Sequence, residues 1–237
     1  MASSPQSEQV PFQEDYYRDI CGQRQTRFDR ARDDRVVALV ERHAPDRRPE
    51  SALLDIGCGY GHVLRRFTGL YRLAGIDLST HASDVARRSV PGASVVTADI
   101  EQTLPFREEF DVVLAINVIE HLREPEAGLR SIRAALAPGG LLVAHLPTIN
   151  GPVSRLIYRF AYAQDPTHVY RPSGDEVRQL IESAGFETLE WSFAPHRRWL
   201  GSRLGWHPAY LAAFRRDYGR SSRKRESDPR ASTYIGR

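Results

Sequence analysis

One stretch, Leu53-Leu54-Asp55-Ile56-Gly57-Cys58-Gly59-Tyr60-Gly61, constrains this chain more than any other. A short apolar run leads straight into glycine at three alternate positions. Glycine belongs where backbone turns sharply or approaches a ligand closely, because it has no Cβ and takes positive φ without strain. The helix expected next, His62 to Phe67, would aim its N-terminus at the ligand and favour a carboxylate or phosphate there. Asp77 follows Gly57 by twenty positions and ends the next apolar run, where an acid suits ribose hydroxyls. Asp99 closes a third run, where an adenine amino group comes within reach. The dinucleotide fingerprint wants glycine at the position of His62, and no Gly-Lys-Ser/Thr follows the turn. A nicotinamide enzyme is therefore disfavoured and a P-loop excluded.

The surrounding pattern predicts the architecture. Apolar runs at Ala52–Ile56, Leu73–Ile76, Ser94–Thr97, Phe110–Ile116 and Leu141–Leu146 read as strands, and Phe110–Ile116 is apolar on both faces, as a buried parallel strand requires. Between them, Ala82–Arg88 and Pro125–Leu136 read as helices, the first stopped by Pro91-Gly92 and the second broken by Pro138-Gly139-Gly140. Ser173 and Glu176 form a capping box opening a further helix that ends at Gly185. Two more strands follow, Phe186–Phe193 and Tyr210–Phe214. Alternation at this spacing predicts an α/β fold with a doubly wound, mostly parallel seven-stranded sheet. Val36, Val37, Val40 and His43 share a helical face, so 13–49 is expected to be an N-terminal helical cap with a linker. The polar residues 1–12 and the basic tail 218–237 are expected to be disordered, with the domain proper at 50–217.

Charge narrows the classes of partner. The chain has 33 Lys and Arg against 30 Asp and Glu, a net charge of +3 over 237 residues. The tail 218–237 holds six cations and two acids, so the body is close to neutral and a nucleic-acid partner is disfavoured. No apolar run has the length of a membrane span, and the start lacks the basic and apolar regions of a secretory signal. Cys21 and Cys58 make no metal pair. A reduced, cytoplasmic protein is expected.

In these motifs the chain resembles the class I S-adenosylmethionine-dependent methyltransferases. Leu53–Gly61 resembles that family's first motif, Gly75–Ser79 its second and Ala98-Asp99-Ile100 its third. Phe110–Val113 with Asn117–Leu122 resembles the fourth, and Pro138–Leu142 the fifth. Asp165–Tyr170 with Ala184-Gly185-Phe186 resembles the small-molecule and ubiquinone-type branch. The resemblance implies a Rossmann-like methyltransferase fold and S-adenosylmethionine as cofactor, with S-adenosylhomocysteine as product. It implies that Gly57, Gly59 and Gly61 line the methionine part, Asp55 orients that loop, and Asp77 takes the ribose hydroxyls. Leu78 would pack on adenine, Asp99 and Ile100 would hold it, and Asn117 would face the methionine segment. A small-molecule acceptor of natural-product or sugar type is implied. An RNA acceptor held by the basic tail, or a non-catalytic cofactor-binding subunit, is the alternative.

Methyl transfer needs an acceptor lone pair aligned with the methyl carbon, and a hydroxyl acceptor usually needs a base within hydrogen-bond reach. His168 is the first candidate, with Asp165 as its orienting acid. Both lie in the non-periodic stretch 147–172, expected beside the ligand crevice, although the pair would serve equally to pin that loop. His145, at the end of the fifth strand, is the second candidate. Tyr16, Tyr17, His121 and, from the insertion 195–208, Arg197 and Trp199 are candidate acceptor contacts. Some relatives bind a divalent metal through a Glu-His pair and an acid three positions earlier. That earlier position is Asn117 here, so no metal is expected at Glu120-His121.

Overall fold

The structure, a computed structural model, describes Phe12 and residues 14–18, 25–102, 104–106, 109–193 and 207–218. The predicted strands are present as β1 (Ala52–Ile56), β2 (Arg72–Asp77), β3 (Ser94–Thr97), β4 (Phe110–Ile116), β5 (Leu136–Pro147), β6 (Phe186–Ser192) and β7 (Ala209–Arg216). They form one seven-stranded sheet in the order β3-β2-β1-β4-β5-β7-β6. Neighbours from β3 to β5 pair in parallel, and β7 runs antiparallel to both β5 and β6. Strand order reverses between β1 and β4, which opens a crevice at their carboxyl ends.

Helices cover both faces. They are α1 (Glu14–Tyr16), α2 (Arg27–His43), α3 (Thr80–Ser89), α4 (Pro125–Ala135), α5 (Pro152–Ala161) and α6 (Gly174–Ser183). All seven residues of β4 are buried, and its side chains alternate between two cores. Val113 and Ala115 join Leu129 and Ile132 of α4 and Val177 and Ile181 of α6 on one face. Val112 and Leu114 join Val36, Leu39 and Val40 of α2 and Ala86 of α3 on the other. This two-sided burial is why β4 reads as an unbroken apolar run.

Three expectations are corrected. First, α2 is part of the domain and not a cap over it: it packs into the second core, and at its C-terminal end Arg42 and His43 reach Glu190 of β6 at 2.6 and 2.9 Å. Second, the glycine turn is followed only by a four-residue 3-10 helix, Leu64–Phe67, too short to present an N-terminal anion site. Third, Pro138-Gly139-Gly140 does not separate a helix from a strand. β5 already begins at Leu136, paired with Phe110, and the proline and glycines form an irregularity before Leu141 pairs with Val112 of β4. Gly139 has φ of 76°, which an L side chain adopts only with strain.

The capping box at Ser173 is present. Its hydroxyl accepts the Glu176 backbone N–H at 3.3 Å, and the Glu176 carboxylate accepts the Ser173 backbone N–H at 2.7 Å. Ser173→Ala should therefore lower the unfolding free energy by about 1 kcal/mol in a denaturant titration; an unchanged midpoint would show that the cap carries no stability.

Candidate functional site

A cavity of about 580 Å³ lies over the carboxyl ends of the strands and joins two unlike ends. At the first end β1 runs into the glycine turn. Gly57 and Gly59 have φ of 64° and 51°, and a Cβ on Gly57 would lie 2.5 Å from Val118 Cγ2. Both glycines line the cavity. Gly61 does not: a Cβ there would lie 2.9 Å from Val90, so its smallness serves packing against the α3 region and not the expected ligand contact.

The Asp77 carboxylate is buried at the end of β2 and ties three segments together. It accepts the Gly59 backbone N–H at 2.8 Å, the Ser79 backbone N–H at 2.9 Å and the Tyr17 hydroxyl at 2.9 Å. Burial raises its pKa, against the lowering effect of those bonds. Tyr17 also stacks on Tyr60 with ring centroids 5.0 Å apart. Leu78, Asp99 and Ile100 line the same end, and Asp99 caps its own turn by accepting the Glu101 N–H at 2.9 Å. Asp55 also lines the cavity and is buried. Desolvation first, then the charges of Asp33 and Asp77, push its pKa up to about 8.

Sequence periodicity missed what α2 and the residues just before it bring to this end. Gln25, Asp29 and Arg32 line the cavity. Arg32 bonds the buried Asp33 carboxylate at 2.8 and 3.0 Å, and Gln25 donates to its other oxygen at 2.5 Å. The apolar stripe of a helix marks its core face, so residues on the edge of that stripe carry no periodic signal.

The second end gathers residues from three separate segments. Asp165 accepts the Thr167 backbone N–H at 2.9 Å, the Thr167 hydroxyl at 2.5 Å and the Tyr16 hydroxyl at 2.9 Å. Burial pushes its pKa up, but these hydrogen bonds outweigh it and the carboxyl lies below its usual range. His168 Nε2 is 3.6 Å from Asp165, and its Nδ1 is 3.1 Å from the hydroxyl of Tyr158 on α5. His121 Nδ1 lies 2.9 Å from the Thr167 hydroxyl, and the His121 and His168 rings are 4.9 Å apart. Burial, then the neighbouring His121, lowers the His168 pKa to about 4, and burial lowers that of His121. Both imidazoles are thus neutral near pH 7.

Two expectations change at this end. His145 does not line the cavity. It is buried on β5, where its Nδ1 lies 2.6 Å from the Asn117 side-chain oxygen, so it buttresses Asn117 instead of facing an acceptor. Asn117 does line the cavity and holds φ at 56°, a left-handed conformation that asparagine tolerates better than most residues. The stretch 147–172 is not irregular throughout, since it contains α5. Arg197 and Trp199 lie outside the described residues.

The expectation that no metal binds rested on Asn117, and the geometry weighs against that argument. Glu120, His121 and His168 each offer a donor atom, all within 4.8 Å of one another. Glu120 is 1% exposed, and neither carboxylate oxygen has a hydrogen-bond partner among the described residues. Desolvation pushes its pKa up to about 8. A buried carboxylate without donors beside two neutral imidazoles suits a divalent cation of nitrogen and oxygen preference.

Comparison with known proteins agrees with this geometry. The profile of a family described as a methyltransferase domain matches residues 28–190. The chain is 36% identical over 158 residues to a ubiquinone biosynthesis O-methyltransferase of Cereibacter sphaeroides, covering 58% of this chain and 61% of that one. It is 32% identical over 143 residues to a tRNA U34 carboxymethyltransferase of Klebsiella pneumoniae, covering 56% and 42% respectively. It therefore spans about half the length of such relatives. Among solved structures, the N-methyltransferase NodS of Bradyrhizobium japonicum with S-adenosyl-L-homocysteine superposes with a TM-score of 0.60. That match has 20% identity and covers 80% of this chain and 87% of the other, a likeness of fold.

Asp55 gives a pH test of the site. The folded state keeps its proton up to about pH 8, whereas the unfolded chain releases it near the ordinary value of 3.8. Between those values the native state binds more protons, so stability falls as pH rises, by up to ~1.4 kcal/mol per pH unit. Asp55→Asn should flatten this decline in unfolding measured at pH 5 and pH 8. The Glu120 contribution would remain. Parallel curves for the two proteins would contradict a buried, protonated Asp55.

Proposed function

Because the chain belongs to the methyltransferase-domain family, we propose that it carries a methyl group from S-adenosylmethionine to an oxygen of a small-molecule acceptor of natural-product or sugar type, in the cytoplasm. The observation that carries this reading is one cavity that joins the glycine turn and Asp77 at one end to the imidazoles of His121 and His168 at the other. S-adenosylhomocysteine is the product. The ubiquinone-type relative supports an oxygen acceptor.

When bound, the cofactor supplies a methyl group activated by the positive charge on its sulfur. The glycine turn lets backbone approach the methionine part at Gly57 and Gly59. Asp77 has lone pairs left beyond its three present bonds and takes the ribose hydroxyls. Leu78, Asp99 and Ile100 receive the adenine. Arg32, held rigid by Asp33, offers the cation for the amino-acid carboxylate. Asn117 is fixed by His145 where β4 ends and borders the methionine segment.

His168 accepts the hydroxyl proton. Its low pKa keeps the imidazole unprotonated, and Asp165 beside it stabilises the charge that forms. Tyr158 beside Nδ1 fixes the plane of the ring and leaves Nε2, 3.6 Å from Asp165, as the atom that takes the proton. His121, Tyr16 and Tyr17 bound the acceptor end. Were a divalent cation held by Glu120, His121 and His168, His168 would be its ligand and not the base, and the cation would instead lower the pKa of the acceptor hydroxyl. The tRNA-modifying relatives favour a second reading, an RNA acceptor contacted by the basic tail.

Calorimetry with S-adenosylhomocysteine should show binding, and Asp77→Ala should weaken it at least about tenfold, as expected for lost charged hydrogen bonds. Absence of binding by the intact chain would reject the proposal. His168→Ala should lower turnover by about 10²–10⁴-fold, with cofactor affinity nearly unchanged. If the intact chain methylates RNA but no small phenol or sugar, and removal of residues 219–237 abolishes that methylation, the second reading replaces the first.

A further inference from the structure

The helix α5 has three faces. Ser154 and Tyr158 point inward and are buried, Tyr158 reaching His168. Val153, Leu156, Ile157 and Phe160 recur at the spacing of one helical stripe and are 52, 59, 40 and 71% exposed. Arg155 and Arg159, one turn apart, are exposed on the third face. The helix carries no acid, and the only carboxylate between residues 147 and 172 is Asp165, which is buried within the site. Four large apolar side chains outward on ten residues is far from the scattered exposure of an ordinary surface.

We propose that α5 docks this protein on an anionic phospholipid bilayer, its apolar stripe entering the acyl boundary and Arg155 and Arg159 meeting the headgroup phosphates. Charge complementarity argues for lipid, because every exposed formal charge on this segment is positive. Length argues for a helix lying in the interface, since no described helix is long and apolar enough to cross a membrane. Position gives the docking a use. Phe160 and Ala161 line the cavity, so a bilayer bound to α5 lies beside the acceptor end. None of this depends on the methyl-transfer chemistry.

The test is co-sedimentation of the full chain with vesicles of phosphatidylcholine alone and of phosphatidylcholine mixed with phosphatidylglycerol. Binding should need the anionic lipid and weaken with added salt. Val153→Glu with Leu156→Glu should lower vesicle affinity at least about tenfold. Arg155→Gln with Arg159→Gln should lower it about twenty-five-fold, at roughly fivefold per cation. Both double variants alter exposed side chains that do not line the cavity, so calorimetric binding of S-adenosylhomocysteine should stay as in the parent chain. That readout separates a failed docking surface from a failed cofactor site. No sedimentation with either vesicle overturns the proposal, as does equal sedimentation with both. A parent dimer that Val153→Glu with Leu156→Glu dissociates, without vesicle binding, would instead assign the stripe to a second copy of this chain.

Discussion

Much of the site depends on one carboxylate. Asp77 sits at the end of β2, accepts N–H groups from the glycine turn and from the start of α3, and takes the hydroxyl of Tyr17. The Ser79 N–H would otherwise be buried without an acceptor, at a cost of about 1–3 kcal/mol, and the Gly59 N–H is half-buried. The carboxylate therefore fixes the spacing between adjacent crossover loops and holds the N-terminal segment against them. Gly57 and Gly59 can follow that path only because they lack a Cβ; at Gly57 the space is taken by Val118.

The cavity is also electrostatically divided. Asp55 and Glu120 are pushed toward the protonated form by burial, while Asp165 is held ionised by Thr167 and Tyr16. The two imidazoles beside Glu120 and Asp165 are driven toward neutrality. Titratable groups whose environments push them in opposite directions mark a site suited to proton transfer or cation binding. The buried glutamate without donors has no evident packing role, and a carboxylate so placed destabilises the apo chain when ionised.

The crevice end of the fold was legible because its requirements are local. A positive-φ turn demands glycine, a buried parallel strand demands apolar residues on both faces, and a capping box needs two residues three apart. Leu53–Gly61, Phe110–Ile116 and Ser173 with Glu176 satisfy these within their own segments. The errors arose where local cues competed with pairing. Pro138-Gly139-Gly140 looked like a break between elements, but Leu136 already pairs with Phe110 and the irregularity is absorbed within β5. His62–Phe67 had helical composition, yet the backbone forms only a single 3-10 segment before Gly69 turns it.

What the sequence determined alone was the order of the strands, the helices α3, α4 and α6, the glycine turn, and the acids that end β2 and β3. What only the tertiary structure decided was which distant residues meet. It brings Arg32 from α2 to the cofactor end, sets His121 against His168, removes His145 from the cavity and turns the apolar stripe of α5 outward. The physical reason is that backbone conformation is governed by near neighbours, whereas the burial and protonation of a side chain depend on elements packed against it from elsewhere in the chain.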